Sequence, residues 1–238
     1  MIKITYVYHS CFVIELEKAV FVFDYYRGQL PPIPKGKSLF VFASHIHFDH
    51  YTDDIFKFGE LSDHIVYVLS NDIPEKVVEK ANKQGVSKKQ IHFVGPNVKV
   101  EIEDCTIKTL KSTDEGVAFL LQYKGVTIYH AGDLNWWHWE SESQVYNEMM
   151  KRKYQYEISK IEAENIDIAF VPLDPRLESA YHYGMDYFME HTNTHIVFPM
   201  HFGRKYNVCK RLLKEDTAKN YITRVKMITN VGEMWEVN

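Results

Sequence analysis

The chain has 238 residues, of which 45% are hydrophobic, 14% aromatic and 25% charged, and its formal net charge is −4 at pH 7. This composition is that of an ordinary globular protein, and the small acidic charge without a basic run argues against nucleic acid or an anionic membrane as a partner. No apolar run reaches the roughly 18 to 20 residues of a spanning helix, and no signal peptide is apparent, so we expect a cytoplasmic protein. Three cysteines without a CxxC pair fit reduced, buried thiols: Cys11, Cys105 and Cys209.

The first half of the chain is predicted to begin with strands and to continue as alternating strands and helices. Runs of β-branched and aromatic residues predict three short strands, at 2–8, 11–16 and 19–24. After a proline-rich loop, the apolar run 38–43 predicts a strand that is buried on both faces. Thr52 is expected to cap a helix, a further strand is predicted over 65–69, and Pro74 is expected to open a helix that ends near Gly85.

The second half of the chain begins with strands again. Its β-branched and apolar runs predict strands at 98–102, 105–110, 117–123 and 126–131. A polar-rich helix is predicted over about 141–164, and later strands are predicted at 166–171, 195–199 and 225–228. Two halves of this kind predict two packed sheets with helices outside. Because no flexible linker interrupts the pattern, we expect one domain over residues 1–238.

The loop after the predicted buried strand contains four potential metal ligands within six residues, namely His45, His47, Asp49 and His50. Such a loop can direct His45 and His47 to one ion, and Asp49 and His50 towards a second position. Imidazole and carboxylate groups together suit Zn²⁺, Mn²⁺ or Fe. The end of a strand in an α/β protein is also where ligand sites usually lie. The cluster therefore predicts a metal centre.

This cluster resembles the HxHxDH signature of the metallo-β-lactamase fold superfamily, and later segments resemble that family in the same order. A strand ends in Gly132 and Asp133, where the resemblance implies a carboxylate that bridges two metals; Gly132 lets the backbone bend tightly. A late strand ends in His201, which the resemblance implies as a further ligand. The opening strands resemble the branch that includes the ascorbate-phosphate lactonases. The resemblance covers nearly the whole chain and implies an α/β fold, a four-layer αβ/βα sandwich.

The chain departs from the family pattern at one ligand. The superfamily usually supplies a third histidine to the first metal from a loop before the Gly-Asp strand, and the corresponding stretch 110–116 contains none. Asp114 is the candidate substitute, since a carboxylate is an adequate ligand for zinc or manganese. Alternatively the first site is weak or empty, and one metal is held by Asp49, His50, Asp133 and His201.

Other residues near the motifs have more than one interpretation. His9 is expected either to contact the substrate, to orient a metal ligand, or to be structural. His130 is expected to be packed rather than to bind metal. The tryptophans of segment 135–139 are expected to anchor the following helix or to form the wall of a pocket. Arg176 is expected to form a structural ion pair, and the alternative is a position near an anionic substrate.

These residues predict a metal-dependent hydrolase that uses a metal-bound hydroxide on a small ester, lactone or phosphodiester metabolite. Asp49 is the predicted catalytic residue, which orients the nucleophile, and the predicted cofactor is one or two Zn²⁺ ions, with Mn²⁺ or Fe as alternatives. The missing histidine keeps open a catalytically silent metal-binding or sensory protein. A di-iron redox protein is a further alternative, although such members carry a Glu in the motif and an attached flavin domain, and neither is present here.

Overall fold

A computed structural model describes residues 1–237 as thirteen strands, four α-helices and short 3₁₀ helices. The strands are β1 (Ile2–Tyr8), β2 (Cys11–Glu15), β3 (Ala19–Phe23), β4 (Ser38–Ala43), β5 (Ile65–Ser70), β6 (Ile91–Val94), β7 (Lys99–Ile102), β8 (Cys105–Lys111), β9 (Val117–Tyr123), β10 (Val126–His130), β11 (Asn165–Pro172), β12 (Asn193–Met200) and β13 (Met234–Val237). The α-helices are α1 (Val77–Lys83), α2 (Gln144–Ser159), α3 (Tyr183–His191) and α4 (Asn207–Leu212). The 3₁₀ helices are Asp53–Glu60, Lys88–Gln90, Pro175–Ala180, Thr217–Asn220 and Ile222–Arg224.

The chain comprises two compact units, and each contains one mixed sheet. The first unit is formed by Met1–Gly95 with the C-terminal segment that starts at Asn230, and the second unit is Pro96–Thr229. The expectation of a single domain over 1–238 stays a prediction. None of the helices in residues 1–237 combines the length and the hydropathy that a membrane span requires.

The first unit contains a seven-stranded sheet of order β13-β1-β2-β3-β4-β5-β6. The strands from β13 to β3 pair antiparallel, and those from β3 to β6 pair parallel. Because β3 and β4 are parallel neighbours, the residues that follow them, Asp24 and Ser44, emerge at the same edge of the sheet. This edge carries the histidine cluster.

Both faces of β4 are buried, as its continuous apolar run predicts. Leu39, Val41 and Ala43 belong to a core that also includes Phe56 from the first 3₁₀ helix and Ala81 from α1. On the opposite face, phenylalanine rings of β3 and β4 stack in pairs, with centroids 5.2 Å and 4.7 Å apart: Phe21 on Phe40, and Phe23 on Phe42. A strand packed on both sides holds the loop that follows it on a rigid base.

The second unit contains a six-stranded sheet of order β12-β11-β10-β9-β8-β7. The strands from β7 to β10 pair antiparallel, and β10, β11 and β12 pair parallel. The ends of β10, β11 and β12 therefore emerge at one edge, and they lead into Asp133, Asp174 and His201 respectively. Ser143 caps the N-terminus of helix α2, because its side chain accepts a hydrogen bond from the backbone N–H of Tyr146.

Four elements differ from the sequence-based expectations. The predicted strand 225–228 is wrong: the segment forms one isolated bridge, from Val225 to Val197, directly after the last 3₁₀ helix. The predicted helix over about 141–164 is shorter, because the Ser143 cap starts it at Gln144 and a turn follows Ser159. Strands β6 and β13, each of four residues, were not predicted. The Thr52 cap is confirmed, since its side chain accepts from the backbone N–H of Asp54.

Candidate metal centre

Asp24 fixes the start of the loop that carries the histidine cluster. Its carboxylate accepts hydrogen bonds of 2.7 Å from the backbone N–H of Ser44, from Oγ of Ser44 and from Nδ1 of His50. All three residues are fully buried. A buried carboxylate is stable only when hydrogen bonds replace its hydration, and this one has three short ones.

The same hydrogen bonds assign the ring protons of the two buried histidines. Oγ of Ser44 donates its single proton to Asp24, so in its 2.9 Å bond with Nδ1 of His45 it must accept. Nδ1 of His50 donates to Asp24, because an ionised carboxylate can only accept. Both imidazoles therefore carry the proton on Nδ1 and the lone pair on Nε2. A neutral imidazole oriented in this way by its second nitrogen is the form that binds metals.

The rest of the motif lies on a tight turn. The backbone N–H groups of His50 and Tyr51 both donate to the carbonyl of His47, at 3.0 Å. The ring of His45 lies 4.6 Å from that of His47 and 4.1 Å from that of His50, measured between centroids. His47 is exposed, whereas His45 and His50 are buried. The structure thus brings the three predicted histidines of the motif together.

His9 contacts the fourth motif residue, Asp49. Its Nε2 lies 3.4 Å from Oδ2 of Asp49, and its ring packs edge-on to that of His50 with centroids 5.8 Å apart. The backbone N–H of His9 donates to the hydroxyl of Tyr6 at 2.9 Å, in a left-handed conformation with φ of 56°. His9 therefore contacts two residues of the motif, Asp49 and His50.

In the second unit, the ring of His201 lies between two carboxylates. Its Nδ1 is 2.9 Å from Oδ2 of Asp174, and its Nε2 is 3.2 Å from Oδ1 of Asp133. Burial raises the pKa of Asp174, but hydrogen bonds from His201 and Arg176 outweigh this effect and lower the pKa overall. Asp174 is therefore an ionised acceptor that holds a ring proton of His201 on Nδ1, and Nε2 is the ring nitrogen that faces Asp133.

Asp133 is presented by a sharp bend after β10. Gly132 has a φ of 51°, and its N–H donates to Nδ1 of His130 at 3.1 Å. The carbonyl of Asp133 accepts from Nε1 of Trp137 at 3.0 Å. His130 is fully buried, which confirms that it is packed. Asp114 is exposed on the loop between β8 and β9, and it lines the same small cavity as Asp133.

The donor chemistry and the backbone both fit a metal centre. Buried imidazoles with their lone pairs on Nε2, together with carboxylates, are donors that Zn²⁺, Mn²⁺ and Fe accept. Three residues of the candidate centre have left-handed backbones: His9 with a φ of 56°, Asp24 with 45° and His201 with 68°. Such conformations are uncommon outside glycine and cluster at functional sites.

Two site residues were not predicted from the sequence: Asp24 and Asp174. Each follows a buried strand, and the parallel strand beside it leads into a histidine. The sequence signal that could have revealed both residues is a carboxylate directly after an apolar run. The expected structural ion pair of Arg176 is confirmed, because its Nε donates to Asp174 at 2.8 Å. Burial of the three cysteines is also confirmed.

Comparison with known proteins gives matches along the whole chain. Residues 3–147 match the family model described as the beta-lactamase superfamily domain. A protein of Desulforamulus reducens named as a metal-dependent hydrolase is 29% identical over 146 residues, which are 55% of this chain and 61% of that protein. One from Pyrococcus furiosus, also named as a metal-dependent hydrolase, is 28% identical over 148 residues, 56% of this chain and 62% of its own length. The chain thus spans about three fifths of each relative.

Among solved structures, a metallo hydrolase from Ignicoccus hospitalis is similar with a TM-score of 0.64 and 15% identity. The similarity covers 100% of this chain and 99% of that one. At this level of identity the likeness is one of fold. It confirms the α/β fold class that the sequence predicts.

Proposed function

Because the chain belongs to the metallo-β-lactamase superfamily, we propose that it is a metal-dependent hydrolase of a small ester, lactone or phosphodiester. One observation carries the proposal: His45, His50 and His201 each engage Nδ1 with a hydroxyl or a carboxylate, which leaves the lone pair on Nε2. The names of the two relatives, both metal-dependent hydrolases, support it. The net charge of −4 offers no general attraction for nucleic acid, which favours a small-molecule substrate.

The proposed ligands are His45, His47, Asp49, His50, Asp133, His201 and, in place of the family's third histidine, Asp114. They would hold one or two divalent ions, with zinc expected first and manganese or iron as alternatives. A bound ion of this kind lowers the pKa of water from about 15.7 towards about 7 and polarises the oxygen of the bond under attack. Asp24 and Asp174 would hold the Nδ1 protons of His50 and His201, which keeps Nε2 as the nitrogen that faces a metal.

Asp49 is proposed as the residue that orients the attacking water by accepting one of its protons. Its side chain is 25% exposed, so the carboxylate can meet a substrate that arrives from solvent. The imidazole of His9, 3.4 Å away, would keep that carboxylate in position. His9 is thus proposed as a positioning residue.

The test is metal analysis and hydrolysis by the purified chain, without an affinity tag, beside Asp133→Ala. Bis-p-nitrophenyl phosphate and a simple lactone are the probe substrates. We expect near-stoichiometric metal and turnover for the unaltered chain. In Asp133→Ala we expect metal affinity to fall by roughly 100-fold or more, because removing even a residue that supports a ligand can cost that much. Asp216→Ala, which removes a carboxylate that is 89% exposed, is the matched control and should retain both properties.

Full metal content and full activity in Asp133→Ala would overturn its role as a ligand. Metal without turnover would indicate a silent metal-binding or sensory protein, and two irons with oxygen reduction would indicate a redox protein. Asp114→Ala decides the remaining ligand. If Asp114 replaces the missing histidine, this variant loses one of two ions, whereas an unchanged metal count means that Asp114 is not a ligand.

A further inference from the structure

An exposed arginine of the first unit, Arg27, lies against two tyrosine rings on the loop that follows Asp24. Its guanidinium carbon is 4.1 Å from the ring centroid of Tyr8 and 5.0 Å from that of Tyr26. We propose that Arg27 and the hydroxyl of Tyr26 bind a carboxylate group of the substrate, separate from the bond that is hydrolysed. The assignment to a substrate rests on the proposed hydrolase function, whereas carboxylate binding itself does not.

Tyr26 is close to the proposed catalytic residue, Asp49. The ring of Tyr26 packs edge-on to that of His9 with centroids 6.3 Å apart, and Nε2 of His9 lies 3.4 Å from Oδ2 of Asp49. Burial raises the pKa of Tyr26 to about 12 against the opposing charge of Arg27, and the charge of Asp49 contributes to the rise. At neutral pH the hydroxyl therefore keeps its proton and can donate it to an anion. A small substrate that reaches Asp49 can thus present a second group to Arg27 and Tyr26.

The positive charge of Arg27 is available to a ligand. Within residues 1–237, Arg152 and Arg176 pair with carboxylates, whereas Arg27 forms no ion pair. A guanidinium binds a carboxylate through two parallel hydrogen bonds. One positive charge with a neutral hydroxyl matches a singly charged group. A doubly charged phosphate monoester would instead leave a negative charge near Asp49, and like charges in proximity weaken binding.

The loop that carries Arg27 is fixed before a ligand binds. The hydroxyl of Tyr25 donates to the carbonyl of Gly28 at 2.9 Å, and its ring packs edge-on to that of Phe58 with centroids 4.9 Å apart. Gly28 has a φ of 108°, and a Cβ there would lie 2.7 Å from Cγ1 of Val7 on β1. Because the loop and the two rings already hold the guanidinium, Arg27 loses less side-chain entropy on binding.

The first test compares two substrates of the metal-loaded chain that differ by one charge. They are the mono-p-nitrophenyl ester of adipic acid and the corresponding p-nitrophenyl methyl diester; the same pair made from suberic acid places the carboxylate further from the reacting bond. The measured quantity is the ratio of the KM of the diester to that of the half-ester, so a general loss of activity in a variant cancels. We expect the KM of the half-ester to be about three- to tenfold lower, as an exposed, charge-assisted pair of hydrogen bonds allows.

Substitutions at Arg27 and Tyr26 should reduce this ratio. Arg27→Gln should abolish the preference, and Arg27→Lys should keep only part of it, because an ammonium group lacks the planar fork. Tyr26→Phe removes the hydroxyl alone and should also lower the ratio. The matched control is Arg152→Gln, which makes the same change in net charge at an exposed ion pair and should retain the full preference. Equal KM values for both pairs in the unaltered chain, or a preference that survives in Arg27→Gln, would overturn the proposal.

The second test uses saturation-transfer NMR on the chelator-treated chain, which needs neither metal nor turnover. With monomethyl adipate, the unaltered chain and Arg152→Gln should give a signal that Arg27→Gln loses. The absence of this signal in the unaltered chain, or an equal signal with neutral dimethyl adipate, would overturn carboxylate binding. Carboxylate binding in a chain that hydrolyses none of the esters would contradict the proposed function and leave carboxylate binding intact. Hydrolysis of half-ester and diester alike, without any preference, would do the reverse.

Discussion

Buried carboxylates decide which nitrogen of the neighbouring histidines can bind a metal. Asp24 accepts the Nδ1 proton of His50 at 2.7 Å, and Asp174 accepts that of His201 at 2.9 Å. Neither carboxylate is proposed as a ligand. Their effect is on the protons of the proposed ligands, because a ring whose proton is held on Nδ1 presents Nε2 to a metal.

Asp24→Asn should therefore weaken metal binding without removing a ligand. The amide of asparagine can donate to Nδ1 of His50, which would favour the proton on Nε2 and block that nitrogen. We expect metal affinity, measured by competition with a chelating dye, to fall roughly 10- to 100-fold. The control is Asp63→Asn, which changes an exposed carboxylate, and thermal unfolding checks that both variants are folded. Unchanged affinity in Asp24→Asn would mean that the proton arrangement has no effect on binding.

The sequence indicates candidate metal ligands, but it does not indicate the residues that orient them. The spacing of His45, His47, Asp49 and His50 is a local pattern, and it can be recognised without a structure. Asp24 lies some twenty residues before the motif, and only the parallel pairing of β3 with β4 brings it to Ser44 and His50. A carboxylate directly after an apolar run is visible in the sequence, but the strand pairing that brings Asp24 and Asp174 to a histidine is not, so both were missed.

Helix α3 is attached to its surroundings by close backbone packing at Gly184. A Cβ at this position would lie 1.9 Å from Oδ1 of Asn135 and 3.2 Å from the backbone nitrogen of Trp136. The carbonyl of Gly184 also accepts a 2.7 Å hydrogen bond from the hydroxyl of Tyr154 on α2. A side chain here would push α3 away from the segment that follows Asp133.

Gly184→Ala should lower the free energy of unfolding by about 1–3 kcal/mol, the usual cost of overpacking. Urea unfolding followed by circular dichroism measures it. Gly59→Ala is the matched control, since the nearest atom to a Cβ there is a methyl group of Val86 at 3.4 Å, and we expect a change within about 0.5 kcal/mol. Equal stability of the two variants would show that the segment around Asn135 adjusts at no cost.

Asp186 makes the attachment of α3 sensitive to pH. Burial raises its pKa, but hydrogen bonds from His182, Tyr221 and Thr217 outweigh this and lower the pKa overall. The bond from Nδ1 of His182 is 2.6 Å long. Because the folded pKa lies below the unfolded value of about 3.9, the stabilisation is complete above that value and is lost as the pH falls through the folded pKa.

The difference in unfolding free energy between the unaltered chain and Asp186→Asn should therefore be largest at neutral pH and shrink as the pH falls below the unfolded pKa of about 3.9. Urea unfolding at several pH values measures both proteins under the same conditions. Effects of the substitution on packing alone do not depend on pH and cancel in this comparison. A difference that stays constant with pH would show that Asp186 does not titrate differently on folding.

Elements with long apolar runs were predictable, and short or isolated ones were not. The run 38–43 matched β4 over its full length. Strands β6 and β13 have only four residues each and partly exposed side chains, so they give no clear run. The segment 225–228 is apolar enough for a strand, yet it makes a single bridge at Val225. Whether such a segment forms a strand depends on the neighbour it finds in the folded chain.

The two units repeat one arrangement without a visible sequence repeat. Each sheet passes from antiparallel to parallel pairing along its strand order. In each sheet, an aspartate after one parallel strand accepts the Nδ1 proton of a histidine that follows the neighbouring strand. The two sheets share this arrangement of side chains, which requires only apolar strands with an aspartate after one and a histidine after its neighbour. This explains why no periodicity is detectable in the chain.

Metal binding should raise the stability of the whole chain by mass action. An ion that binds only the folded state adds about 2.7 kcal/mol when its free concentration is 100 times the dissociation constant. We expect the midpoint of thermal unfolding to fall on removal of metal with a chelator, and to recover when zinc or manganese is restored. His50→Ala and Asp133→Ala should each reduce this recovery, because each removes a proposed ligand. Asp216→Ala should show the full recovery, since that carboxylate is 89% exposed.

If the midpoint is the same with and without metal, the histidines and carboxylates described above do not form a metal centre. If only His50→Ala and Asp133→Ala lose the recovery, the gain in stability comes from those ligands and not from nonspecific binding to surface carboxylates.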